Sequence, residues 1–180
     1  MKNPILIVFS VFLLYFAFGC QNKAEKAELA ALKAQEAVEE QNKALMLSAV
    51  EDWNKGSNKF FIENAVPDYA YYPSGKSKPM SREEVDENFP ALYKGFPDVR
   101  LTIEELVAEG DKLATRFSFT GTHLGEYMGI PATGNNIKVT GLIISLIKNG
   151  KFVEDREEID TLGMMQQLGM ELKPIEAKKK

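Results

Sequence analysis

The chain has 180 residues, 44% of them hydrophobic, with a formal charge of -4, one cysteine and one histidine. That length supports a single domain once terminal segments are set aside, and a lone cysteine excludes an intramolecular disulfide. With no basic patch beyond the C-terminal lysines nucleic acid is not an expected partner, and one histidine without EF-hand spacing of carboxylates argues against zinc or calcium.

Residues 1–19, "MKNPILIVFSVFLLYFAFG", join a basic start at Lys2 to an apolar run and small residues ahead of Cys20, the pattern of an export signal. The run falls short of the roughly twenty residues a membrane span needs. Cys20 resembles the acceptor cysteine of bacterial lipoproteins, which implies lipid attachment and an extracytoplasmic, membrane-anchored location. Residues 20–46 are rich in Ala, Glu, Lys and Gln and predict a helical spacer. Its larger apolar residues, Leu29, Leu32 and Val38, are sparse for a heptad seam, so a solvated spacer is expected and a dimeric coiled coil is the alternative.

The domain is expected over 47–173, with a flexible basic tail at 174–180. Apolar residues from Leu45 to Phe61 recur at helical spacing around a break at "NKGSN", predicting helix, turn, helix. A short strand follows in "VPDYAYY", closed by Pro73-Ser74-Gly75. Ser81 with Glu84 forms a capping box that starts a helix running to about Tyr93. Two hairpins then turn at Gly110-Asp111 and Asn149-Gly150. Helices first and strands after imply an α+β fold with helices on an antiparallel sheet. "LIISLI" at 142–147 is apolar on both faces, as suits a central strand covered on both sides or placed at a dimer interface.

The last strand, "GKFVEDREEID", carries Glu154, Arg156, Glu158 and Asp160 at every second position. Strand alternation puts all four on one face. That face is either a solvated ion-pair ladder or the charged floor of a pocket.

"FPD" at 96–98, "EGD" at 109–111, "GTHLGEYMGIPATG" at 121–134, "NGK" at 149–151 and "DTLGMMQQLG" at 160–169, in this order, resemble the SnoaL-like polyketide cyclase family, also called the ester cyclase family. The resemblance implies the cone-shaped nuclear transport factor 2-like fold, with N-terminal helices packed on a curved antiparallel sheet around a pocket. It also implies aldol-type proton transfer without metal or organic cofactor, and homodimerisation through the open sheet face. By the same resemblance Asp160 maps to the acid/base and His123 to a pocket position with a catalytic role. Tyr71, Arg116, Glu154, Arg156 and Glu158 are the expected substrate-binding residues. The function implied is a cofactor-free acid/base pocket for a small carbonyl compound, and the alternative is a non-catalytic ligand-binding module of the same fold tethered to the membrane.

Overall fold

A computed structural model describes the backbone of residues 4–171 and 173, and side chains from Lys23 onward. Its elements are α1 (Pro4–Trp53), α2 (Lys59–Asn64), β1 (Ala65–Tyr72), β2 (Met80–Ser81), α3 (Arg82–Gly95), β3 (Arg100–Glu109), β4 (Lys112–Thr122), β5 (Asn136–Lys148), β6 (Lys151–Ile159) and α4 (Thr161–Gln167). The Cys20 side chain and residues 174–180 lie outside the described residues. Among the described residues, no helix is long and apolar enough to cross a membrane.

From Lys23 to Val38 every side chain of α1 is exposed, as suits a helix of Ala, Glu and Lys with no apolar stripe to bury. Docking begins at Glu39. Its Oε1 accepts from Gly110 N at 2.9 Å, Asn42 Nδ2 donates to Gly110 O at 3.1 Å, and Met46 enters the core beside Tyr69, Leu113 and Phe152. The last two turns of the 20–46 segment therefore pack as part of the domain.

The sheet runs β2-β1-β6-β5-β4-β3. It is mixed, where the hairpins had led to an antiparallel expectation: β1 lies parallel to β6, with Tyr71 opposite Asp155. Local turn signals report only neighbours in sequence, and this pairing joins the first long strand to the last. The hairpin turns are as expected, with Asn149 (φ 52°) and Gly150 (φ 70°) both left-handed between β5 and β6. The Ser81 capping box is formed, with Glu84 N on Ser81 Oγ and Ser81 N on Glu84 Oε2. Register shifts at Ile103/Glu105 and Leu146/Ile147 go with the curvature of the sheet.

The helices cover one face of that sheet, over a core that includes Phe96, Phe117, Val139 and Leu168. The opposite face stays open, with Val107 (64%), Leu142 (42%) and Ile144 (46%) exposed. β5 thus has one apolar face covered and one bare.

Candidate active site

Between the helices and the concave sheet face lies a cavity of about 710 Å³. Its walls are mostly apolar, among them Trp53, Phe61, Phe117, Phe119, Ile143 and Met164. Polar groups enter from two adjacent strands, Tyr69 and Tyr71 on β1 and Asp155 and Glu157 on β6. Residues 155 and 157 face inward because alternate β6 positions share a face and Phe152 sets that face in the core through a register shift.

The Tyr69 hydroxyl donates to Asp155 Oδ2 at 2.7 Å in buried surroundings. Burial pushes the Asp155 carboxyl up to about 6, held back by Ser145 and Tyr69 and raised again by the charge of Glu154. Ser145 is the register partner of Asp155 on β5. Its hydroxyl tempers the rise, while Asp155 Oδ1 and Ser145 Oγ have no hydrogen-bond partner among the described residues. Glu157 is pushed up to about 7, first by burial, with the Tyr71 hydroxyl opposing and the charges of Asp155 and Glu158 adding. Ser74 braces this segment: its Oγ donates to Glu157 O at 3.1 Å and accepts from Ile159 N at 2.6 Å. A half-buried carboxyl that exchanges its proton near pH 7, with a phenol beside it, can act as a general base or acid.

Of the residues expected from sequence, Tyr71 lines this cavity. The charged ladder does not, since it occupies the open face. Arg156 pairs with Glu154 at 2.7 Å and lies over the Tyr72 ring at 4.1 Å, and Glu158 is exposed. Arg116 is on the same outer face, 2.6 Å from Glu104 and 3.4 Å from Glu105. Asp160 is exposed beyond the strand end as the N-cap of α4, accepting from Gly163 N at 2.8 Å. A Cβ on Gly163 would sit 2.1 Å from Asp160 Oδ2, so the two motif residues fit each other. Asp160 thus lies outside the cavity lining because it caps α4, and Glu157 lies in it because the helices cover the sheet face that carries residues 155 and 157.

His123 is fully buried behind the wall, its ring stacked on Phe96 at 5.0 Å. Its Nδ1 accepts from Thr133 N at 3.3 Å, and its backbone bonds to Asn135 O and Gly134 N close the loop from β4 to β5. It is absent from the cavity lining and acts as a strap for that loop. The loop is also clamped to α3, where Gly95 O accepts from Leu124 N and Gly125 N, and it carries Tyr127 into the cavity wall against Phe96. Asp98 of "FPD" accepts from Thr122 N and Oγ1, both at 2.7 Å, and Gln167 of "QLG" bonds Lys138 N and O on β5. The motifs that carry the resemblance are therefore largely framework.

Sequence reasoning missed Tyr69, Asp155 and Glu157. One signal could have found them: Ser145 is the sole polar residue in "LIISLI", and the polar register it starts continues to Asp155 and Tyr71. Among the described residues, no group of three or more His, Cys, Asp or Glu could hold a metal ion.

The chain is similar to several solved structures. IdmH from Streptomyces antibioticus is 30% identical with a TM-score of 0.66, over 72% of this chain and 99% of that one. AclR from Streptomyces galilaeus is 29% identical with a TM-score of 0.67, over 73% and 97%. TsrD from Streptomyces laurentii is 29% identical with a TM-score of 0.64, over 72% and 95%. No curated protein matches the chain. The sequence profile of the SnoaL-like polyketide cyclases matches residues 43–168, most of the chain and nearly all of the folded domain, so the protein belongs to the SnoaL-like polyketide cyclase family.

Proposed function

We propose that the cavity is a general acid/base site for an enolisable carbonyl compound, with Glu157 as the group that takes the α-proton. The observation that carries this reading is a cavity-facing carboxyl whose proton leaves at about pH 7, where a base is both available and strong. Tyr71, adjacent to Glu157, is the donor for the oxygen on which negative charge develops. Asp155 stands behind them. Held by Tyr69, it strengthens Glu157 as a base through its own charge. Proton transfer of this kind uses side chains alone.

The test is deuterium exchange at the α-carbon of 2-tetralone in heavy water. The protein should accelerate exchange, and Glu157→Gln should remove at least about 100-fold of that acceleration. Binding of the ketone without exchange would favour the second reading, a ligand-binding module, which the largely apolar walls support.

Two further parts belong to the proposal. The residues before Cys20 support an extracytoplasmic lipid anchor, on the periplasmic side or at the surface of a bacterial cell, and Cys20→Ser should then move the protein to the soluble fraction. The bare sheet face around Leu142 and Ile144 supports a homodimer, and Ile144→Asp should then halve the mass seen by sedimentation.

A further inference from the structure

Among the described residues, the cavity brings together aromatic walls and two carboxylates, with a single cation, Lys76, on the exposed loop at its rim. The guanidinium groups nearest in sequence are turned away: Arg116 and Arg156 lie on the opposite sheet face, tied to Glu104 and Glu154. A carboxylate out of water is costly unless a positive charge or hydrogen bonds compensate it. Asp155 is 5% exposed and has one bond, from Tyr69, with Oδ1 unpartnered. A second group is also unsatisfied on this floor. Thr115 lines the cavity at 1% exposure, and its Oγ1 has no hydrogen-bond partner among the described residues.

Asp155 and Glu157 are two positions apart on one strand face, which sets their Cα atoms about 7 Å apart. A single cation placed between the two side chains can reach both. Trp53, Tyr71 and Tyr127 supply ring surfaces in the same cavity, and aromatic faces attract ammonium groups within about 6 Å. An anion gains nothing there, and a neutral ligand leaves both charges uncompensated.

We infer that the cavity binds an organic cation, a hydrophobic amine or quaternary ammonium compound, with its charge between Asp155 and Glu157 and its apolar groups against Trp53, Tyr71 and Tyr127. The inference shares the cavity with the acid/base reading and goes beyond it, because binding requires no turnover. Where both hold, the substrate is a carbonyl compound that also bears an amine, and the ammonium offsets the charge of Asp155 while Glu157 takes the proton.

The test compares benzyltrimethylammonium with its neutral isostere neopentylbenzene by calorimetric titration of the full chain at pH 8 and pH 5.5. At pH 8 the ammonium should bind at least 10-fold more tightly than the isostere. At pH 5.5, where Asp155 and Glu157 take up protons, that preference should fall about 10-fold. The other titratable groups facing the site are Tyr69, Tyr71 and Tyr127, all raised and so still protonated across this window, and Lys76 at the rim. Glu157→Gln and Asp155→Asn, each checked for folding by thermal unfolding, should lose the preference while retaining the isostere. Equal or tighter binding of the isostere, no binding of the ammonium up to millimolar concentration, or a preference that survives in the double variant each overturns the inference. None of these outcomes bears on ketone exchange, so the two readings fail separately.

Discussion

Tyr69 and Asp155, 86 positions apart, meet hydroxyl to carboxylate at 2.7 Å across the parallel pairing of β1 with β6. This contact joins the first long strand to the last and puts a titrating acid under the helices. It ties the stability of the fold to the protonation of its cavity.

The first prediction is therefore a stability that declines with pH. Asp155 rises from 3.8 to about 6 and Glu157 from 4.5 to about 7, so the folded state binds more protons than the unfolded chain between those values. Their contribution is fully present below about pH 4 and is lost as pH rises through 6 to 7. The exposed carboxylates with lowered values, such as Asp98 and Glu104, act in the opposite sense, but below their ordinary range near 4. Denaturant unfolding should show a loss of roughly 2–4 kcal/mol from pH 5 to pH 8. Combined Asp155→Asn and Glu157→Gln should flatten that slope; an unchanged slope would place the two groups in water.

The second concerns the pH profile of any catalysed exchange. If Glu157 is the base, kcat/KM rises with pH through about 7, and Asp155→Asn shifts that midpoint downward by removing the neighbouring charge. A midpoint that stays put in Asp155→Asn would separate the two carboxyls.

Asp160 gives a third, of opposite kind. As the N-cap of α4 it should cost about 1 kcal/mol when changed to Ala and little when changed to Asn, measured by chemical denaturation. Neither change should reduce ligand affinity in the cavity by more than a factor of about two. A large loss of affinity in Asp160→Asn would return Asp160 to the site.

Gly125 carries the fourth. A Cβ there would fall 2.1 Å from the Lys94 carbonyl oxygen, a backbone atom that cannot step aside. Gly125→Ala should destabilise by about 2–3 kcal/mol and loosen Tyr127, lowering affinity for cavity ligands as well. Gly110→Ala, where nothing lies within 4 Å, should be strained only through its φ of 58° and leave the cavity intact.

The fifth tests where the domain starts. A fragment beginning at Ala44 loses the Glu39 and Asn42 bonds to Gly110 and should melt below the full chain, as should Asn42→Ala at a cost of about 1–2 kcal/mol. Equal melting temperatures would make the segment before Ala44 a spacer throughout.

What the sequence determined by itself is local. Alternation placed Glu154, Arg156 and Glu158 on one face, Asn149-Gly150 required its left-handed turn, and Ser81 with Glu84 started a helix, because each depends on neighbours a few residues away. The family, too, was legible, since the motifs that carry the resemblance are short local stretches, which here close turns, cap α4 and strap the β4–β5 loop. Period two says that 154 and 155 face opposite ways, yet it is silent on which of them faces the helices. Only the tertiary structure decided that, when α1 and α3 buried the face of Phe152 and Tyr69, and β1 returned beside β6 to bring two tyrosines onto two carboxyls. The free energy of covering an apolar surface is a property of the whole sheet, and it chose Asp155 and Glu157 for the inside.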